Sequence, residues 1–113
     1  MNWNSLNQAA QLDIIKEESK TQPVLIYKHS TSCSISRATL DRLERNWKDA
    51  ETGSLKPYFL DLLSYRGISN EIANTFNIEH ESPQVLIIKN GEVIYHTSHF
   101  GIDYKSLLAF AKN

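Results

Sequence analysis

The chain has 113 residues, with 12 lysines and arginines, 13 aspartates and glutamates and a formal net charge of -1. A chain of this length is expected to form one domain over residues 1–113, and its balanced charge gives no electrostatic reason to bind nucleic acid or an anionic membrane. Its single cysteine excludes an internal disulfide and any cysteine-rich zinc or iron–sulfur site built from this chain alone.

No apolar run approaches the roughly 18 residues that a membrane span needs. The N-terminal residues show neither the basic nor the apolar segment of a secretory signal, so we expect a cytoplasmic protein. A helix is predicted first. It is expected to start with a capping box formed by Ser5 and Gln8 and to end near Ser19. Its apolar residues recur at helical spacing: Trp3, Leu6, Ala10 and Ile14.

The apolar run 24–27 follows Pro23 and is typical of a strand buried on both faces. A polar loop leads to Cys33, near which a second helix is predicted to begin and to continue until just before Gly53. That helix is indicated by residues at four-residue spacing: Ile35, Thr39, Leu43 and Trp47.

The run 57–62 predicts a second strand, and Ser69 is expected to cap a third helix whose Ile68 and Ala73 form a hydrophobic staple. The runs 85–88 and 93–95 flank Asn90 and Gly91, a strong signal for a β-hairpin. A last helix is predicted to start near Asp103.

The predicted order is α-β-α-β-α-β-β-α. Helical crossovers favour parallel pairing of the first strands, and the hairpin must be antiparallel. An α/β fold therefore follows, with a mixed sheet of about four strands and helices on both faces. This element order resembles the thioredoxin fold without its first strand.

Cys33 is predicted to lie where a buried strand leads into a helix. Unpaired N–H groups and the helix dipole stabilise an anion at such a position, so a thiolate is favoured there. The alternative is a structural cysteine that packs as a small hydrophobe. The polar neighbours of Cys33 favour a reactive, catalytic thiol.

Ser36 follows Cys33 by one helical turn, at the place of the second cysteine in a Cys-x-x-Cys motif. Its hydroxyl can hydrogen-bond a thiolate but cannot form a disulfide, so the chemistry must pass through a mixed disulfide with another molecule. We therefore predict a catalytic role for Ser36. The nearby hydroxyls are predicted to contact the substrate: Thr31, Ser32 and Ser34.

In a thioredoxin-like fold, Ser82 and Pro83 enter the hairpin at the point where a cis-proline faces the cysteine. We expect a cis Ser82–Pro83 bond whose backbone pairs with an extended substrate, although most bonds before proline are trans. Gly101 and Asp103 resemble the turn with which glutaredoxins hold the carboxylates of glutathione, and they are further candidates for substrate binding. The alternative for these two residues is a simple helix cap.

Three weaker signals come from histidines and a lysine. His29 precedes Cys33 by four residues and could serve as a base, although no Asp or Asn that would orient it is recognisable and packing is the alternative. Lys28 could add positive potential for an anionic substrate, or be a solvated charge at a strand end. His96 and His99 are expected on opposite faces, so no metal site is predicted.

Four segments in order are similar to the YtxJ family of thioredoxin-fold monothiol bacilliredoxins, and the similarity spans nearly the whole chain. They are residues 28–36 (KHSTSCSIS), 80–84 (HESPQ), 90–93 (NGEV) and 96–99 (HTSH). The family pattern commonly reads Thr-Cys-Pro-Ile-Ser. Here Ser32 replaces its threonine and Ser34 its proline, and the added N–H and hydroxyl of Ser34 are expected to alter redox poise.

The resemblance implies that the thiolate matching Cys33 removes bacillithiol, or another low-molecular-weight thiol, from mixed disulfides of S-thiolated client proteins. The resulting adduct would then be cleared by a second thiol or a disulfide reductase. The thiol is a co-substrate, and no tightly bound cofactor is expected.

The sequence is also compatible with two functions from other classes. The first is an iron–sulfur carrier like monothiol glutaredoxins, which share Cys-x-x-Ser but carry Gly and Phe where this chain has Ser34 and Ile35. The second is a non-catalytic module that binds a protein partner through a thioredoxin-like surface.

Overall fold

A computed structural model describes residues 2–111, which form a five-stranded mixed sheet in the order β1-β3-β2-β4-β5. The strands β1, β3 and β2 run parallel, β4 pairs antiparallel with β2, and β5 pairs antiparallel with β4. The elements in chain order are β1 (Asn4–Ser5), α1 (Gln11–Glu18), β2 (Val24–His29), α2 (Ser34–Asn46), α3 (Asp49–Thr52), β3 (Lys56–Asp61), α4 (Arg66–Phe76), β4 (Gln84–Lys89), β5 (Glu92–Ser98), a 3-10 turn (His99–Gly101) and α5 (Tyr104–Leu108).

The central strand β2 is buried along its whole length, as its apolar run predicted. Its side chains alternate between two cores because successive residues of a strand point to opposite faces. Val24 and Ile26 pack in the core that includes residues of α1 and α4, and Leu25 and Tyr27 pack in the core that includes residues of α2 and α5. The predicted arrangement of helices on both faces is therefore confirmed.

The N-terminal segment differs from its prediction, because a strand replaces the first turns of the helix. Asn4 and Ser5 pair with β3, and the helix begins only at Gln11. Trp3 packs in one core and Leu6 in the other, which suits the alternation of a strand. The capping box of Ser5 and Gln8 is absent. The Gln11 side chain instead accepts hydrogen bonds from the N–H groups of residues 7 and 8 and donates one to the carbonyl of residue 5.

Two helix boundaries also differ from prediction. The long second helix ends at Asn46, because Trp47 turns to an extended conformation and packs edge-on against Tyr104. The third helix starts at Arg66, so Ser69 lies inside it instead of capping it. Ile68 and Ile72 are both buried and lie one helical turn apart, so the helical spacing of apolar residues begins before Ser69.

The hairpin of β4 and β5 is confirmed. Asn90 and Gly91 both adopt positive φ angles, 53° and 77°, as the tight primed turns of hairpins require. A β-bulge interrupts the pairing of β4 and β5 at Ile87/Ile88. The last helix begins after Asp103, as predicted, although the Asp103 side chain makes no capping bond to the helix backbone. None of the helices within residues 2–111 has the length and hydropathy needed to cross a bilayer.

Candidate active site

Cys33 occupies the N-cap of α2, directly after the loop that leaves β2. Its own N–H donates to the carbonyl of Ser30 at 3.2 Å, and its carbonyl accepts the N–H of Arg37 at 3.2 Å. These two bonds fix the backbone on either side of the thiol. The cysteine is half-buried and unpaired, so its sulfur is held at a defined place and remains open to another molecule.

The hydroxyl residues around Cys33 divide into an exposed and a buried group. Thr31, Ser32 and Ser34 are exposed, so they line the approach to the thiol. Ser30 is buried, and its hydroxyl lies 3.2 Å from that of Ser32. Hydroxyls in this arrangement can donate to a substrate or to a thiolate without a positive side chain.

Ser36 lies one turn into α2 and is fully buried. Its Oγ accepts the N–H of Ser30 at 3.1 Å and lies 2.7 Å from Nδ1 of His29. In residues 2–111 no hydrogen bond joins Ser36 to the Cys33 sulfur, which the sequence had predicted for the thiolate form. The serine at the resolving position is therefore linked to a histidine that sequence reasoning treated as secondary.

His29 is the last residue of β2, and only 5% of it is exposed. Burial lowers the pKa of its imidazole, and the negative charge of Asp61 acts in the opposite direction. Asp61 is the register partner of His29 on β3. Sequence reasoning found no orienting carboxylate, because the residue is distant in sequence and only the strand register brings it near.

The peptide bond between Ser82 and Pro83 is cis, as expected. Pro83 directly precedes Gln84, which pairs with Lys28, so the cis bond lies near the end of β2 that leads to Cys33. The hydroxyl of Ser82 is buried and has no partner within the described residues. The carbonyl of Pro83 accepts the N–H of His99 at 3.0 Å, which ties this segment to the turn after β5.

Two buried polar side chains hold the segment before Pro83. Gln84 donates to the carbonyl of Glu79 at 3.0 Å and accepts the N–H of Glu81 at 3.4 Å. Lys28 lies with its Nζ 3.3 Å from Nδ1 of His80 and donates to the carbonyl of Ser69 at 3.3 Å. The side chains of Lys28 and Gln84 are both fully buried, so the segment is fixed from within the protein.

Lys28 therefore differs from the solvated strand-end charge that the sequence allowed. It shares a face with Val24 and Ile26, and burial lowers its pKa from 10.5 to about 8. Burial also lowers the pKa of His80, and the neighbouring charge of Lys28 adds to that effect. Simultaneous protonation of Lys28 and His80 is therefore disfavoured.

The structure places Asp103 near the far end of α2 from the thiol. Asp103 lines a surface depression with Asn46, the last residue of α2, whereas Cys33 lies at the first end of that helix. A helix of this length separates its two ends by about 20 Å. The binding of a substrate carboxylate by Gly101 and Asp103 stays a prediction, and the helix whose first turn would supply the N–H groups, α5, has only five residues.

Gly101 lies close against the side chain of Thr97. A Cβ atom at this position would lie 2.4 Å from Oγ1 of Thr97 and 3.8 Å from its Cβ. We expect Gly101→Ala to destabilise the protein by about 1–3 kcal/mol, because the methyl group overlaps the threonine hydroxyl. Urea unfolding would measure this change.

The double variant Gly101→Ala/Thr97→Ala provides the matched control. Removing the hydroxyl leaves only the ordinary contact at 3.8 Å, so stability should return to that of Thr97→Ala. An unaltered unfolding midpoint for Gly101→Ala alone would contradict the packing role. If the double variant regains stability and still loses activity, Gly101 also contributes to substrate binding.

No cluster of three or more metal-ligating side chains occurs in the part of the chain that the structure describes. His96 lies on β5 and His99 in the turn after it.

A thioredoxin-like sheet that carries one accessible cysteine at a helix N-cap defines a class, the thiol oxidoreductases of the thioredoxin fold. Residues 4–107 match the family of the monothiol bacilliredoxin BrxC. The chain therefore belongs to the monothiol bacilliredoxin family, and the family resemblance drawn from the sequence is confirmed.

Solved structures agree with this assignment. A thioredoxin-fold protein assigned as an oxidoreductase is 30% identical, with a TM-score of 0.79 and coverage of 96% of this chain and 92% of its own. Thioredoxin from Malassezia sympodialis is 16% identical, with a TM-score of 0.75 and coverage of 97% and 88%. Thioredoxin from Fasciola hepatica is 16% identical, with a TM-score of 0.70 and coverage of 92% and 91%. The latter two show similarity of fold.

Proposed function

We propose that this protein removes bacillithiol from mixed disulfides of client proteins through a covalent intermediate on Cys33. The observation that carries the proposal is the Cys-x-x-Ser arrangement on the helix, with an accessible sulfur at Cys33 and a buried hydroxyl at Ser36. Bacillithiol itself enters through membership of the bacilliredoxin family.

The reaction consists of two thiol–disulfide exchanges. The Cys33 thiolate attacks the bacillithiol sulfur, a Cys33–bacillithiol disulfide forms, and the client thiolate leaves and takes up a proton. A second thiol, or a partner disulfide reductase, then attacks this adduct and releases the Cys33 thiolate. With a second thiol, the disulfide bond passes to that thiol, which remains bonded to bacillithiol; with a reductase, two electrons from the reductase release bacillithiol as a free thiol.

Several local features support this route. The helix N-terminus favours the thiolate both when Cys33 attacks and when it leaves. Thr31, Ser32 and Ser34 present hydroxyls at the approach to the sulfur. The buried hydroxyl of Ser82, which has no partner among residues 2–111, could hydrogen-bond a bound substrate. The proposal places the protein in the cytoplasm, where client thiols are kept reduced and a mixed disulfide is a transient state.

A competition experiment tests the identity of the thiol. A client protein is prepared as its bacillithiol and as its glutathione mixed disulfide, and both are offered to the protein in equal amounts. We expect a single adduct on Cys33 in intact-mass spectra and faster release from the bacillithiol form. Equal release rates from the two mixed disulfides would show that the protein is not specific for bacillithiol. The absence of any adduct on Cys33 would contradict the proposed mechanism.

A further inference from the structure

His80, on the segment that leads to the cis Ser82–Pro83 bond, contacts the buried ammonium of Lys28. The Nζ atom of Lys28 is 3.3 Å from Nδ1 of His80 and donates to the carbonyl of Ser69 on α4 at 3.3 Å. The hydroxyl of Ser69 is also 3.3 Å from Nδ1 of His80. Lys28 is fully buried and His80 is exposed, so the contact joins a charge inside the protein to a ring at its surface.

The protonation states of the two groups decide which atom donates. Burial lowers the pKa of Lys28 to about 8, so its ammonium is charged at pH 7 and has donors only. Nδ1 of His80 therefore accepts, and the neutral ring carries its proton on Nε2. Burial lowers the pKa of His80, and the charges of Lys28 and Arg66 lower it further. The charge of Glu81 acts in the opposite direction.

The contact with Lys28 joins two others that hold residues 79–83. The Gln84 side chain binds the carbonyl of Glu79 and the N–H of Glu81. Ser98 on β5 donates to the carboxylate of Glu81 at 2.9 Å. These bonds restrain the residues on either side of His80, and the bond from Lys28 restrains His80 itself. The backbone of residue 82, where an extended substrate is expected to pair, follows two residues later.

We propose that Lys28 and His80 are positioning residues, whose contact fixes residues 79–83 in the arrangement that receives the backbone of a client protein. The client enters through the function proposed above. In residues 2–111 neither side chain forms a hydrogen bond with Cys33, so the contact acts on KM and leaves the reactivity of the thiol unchanged. Protonation of His80 turns Nδ1 into a donor that faces an ammonium, and the contact is then lost.

The variant Lys28→Met separates positioning from stability. Methionine fills a similar volume with apolar atoms, and replacing a buried charge in this way is often neutral or stabilising. We expect KM for the bacillithiol mixed disulfide of a client protein to rise about tenfold, the effect of losing one hydrogen bond to a charged group. The value of kcat and the stability in urea at pH 7 should not fall. A residue with only a structural role would lower stability and activity together.

Two variants of His80 test the hydrogen bond itself. His80→Asn keeps an acceptor at about the place of Nδ1 but does not titrate, and it should retain the wild-type KM at pH 7. His80→Leu has no acceptor and should raise KM about tenfold, as Lys28→Met does. Below pH 6.5, KM of the wild type should rise as His80 takes up a proton, and His80→Asn should lack this rise.

The control variant is His96→Asn, which alters an exposed histidine on β5 and should retain the wild-type pH profile of KM. Unchanged KM values in both Lys28→Met and His80→Leu would overturn the positioning role. Identical profiles for the wild type and His80→Asn below pH 6.5 would overturn it as well. In either case the adduct on Cys33 would still appear in intact-mass spectra, so the proposed function would stand.

Amide hydrogen exchange tests the positioning without a substrate. The N–H of Glu81, bonded to the side chain of Gln84 at 3.4 Å, should exchange about tenfold faster in Lys28→Met and in His80→Leu. The N–H of Asn90, at the far end of β4, supplies an internal control that should not change. Equal exchange of Glu81 in the wild type and both variants would overturn the proposal.

The wild type alone covers the case in which a variant fails to fold. The protection of the Glu81 N–H, corrected for intrinsic exchange, should fall below pH 6.5 while that of Asn90 stays constant. Constant protection of Glu81 would contradict the role of His80. If protection falls but no adduct forms on Cys33, the proposed function fails and the positioning of residues 79–83 by this contact stands.

Discussion

Replacing Cys33 with serine or alanine should abolish release of bacillithiol from client proteins, by more than about 1,000-fold, because neither side chain can form the disulfide intermediate. The chain has no other cysteine to replace the lost sulfur. Mass spectrometry of the client protein before and after incubation measures the release.

The same two variants should keep the fold. Cys33 is half-buried at an N-cap and makes no side-chain capping bond, so the unfolding free energy should change by less than about 0.5–1 kcal/mol. An inactive but folded variant assigns the loss to chemistry. Full release by Cys33→Ser would show that Cys33 is not the nucleophile of the reaction.

The second large effect is a gain in stability at alkaline pH that depends on Lys28. In the unfolded chain its pKa is near the usual 10.5, and in the folded protein burial lowers it to about 8. The folded state therefore binds fewer protons than the unfolded state between these values, and stability rises as pH increases through that range. Each pKa unit corresponds to about 1.36 kcal/mol, so the rise can reach about 3 kcal/mol.

The variant Lys28→Met isolates this effect. The buried tyrosines Tyr27 and Tyr58 have pKa values raised by burial, so they reduce stability at the upper end of the same range. The difference between the wild type and Lys28→Met removes their contribution, since both proteins contain them. We expect Lys28→Met to be at least as stable as the wild type at pH 7 and to lose its advantage by about pH 10.5.

Urea unfolding at intervals from pH 7 to pH 10.5 measures that difference. The exposed Lys105 supplies the control, because Lys105→Met should give a curve parallel to that of the wild type. If the difference in unfolding free energy between the wild type and Lys28→Met stays constant across this range, burial does not lower the pKa of Lys28.

Local patterns in the sequence were sufficient to predict those helices, strands and turns that have strong signals of their own. The apolar run of β2, the Asn90–Gly91 turn and the helix that follows Cys33 each carry their own signal, and the family segments cluster around them. These elements establish the thioredoxin-like order. They also place the thiol at the start of a helix, which is the basis of the proposed chemistry.

The misassigned parts depend on contacts between distant residues. The strand of Asn4 and Ser5 has only two residues, and it exists because β3 offers it a parallel edge. Asp61 comes beside His29 only through the register of β2 and β3. No periodicity within a window of sequence encodes either contact, so both required the three-dimensional structure.

Lys28 shows a further limit of local patterns. A lysine at the end of an apolar run normally indicates that the strand has reached solvent. Here the strand continues through His29, and Lys28 finds His80 and the carbonyl of Ser69 inside the protein. Its partners lie on segments far along the chain, so the local sequence predicts a solvated lysine where the structure has a buried one.

The two outer strands of the sheet bear on how the folded protein avoids self-association. The edge formed by β1 offers only two residues for pairing, which is too short to recruit a strand from another molecule. At the opposite edge, the β-bulge at Ile87/Ile88 disrupts the regular ladder beside β5. Both features hinder edge-to-edge aggregation. The protein can therefore expose a reactive sulfur without also exposing a regular strand edge that would pair with another molecule.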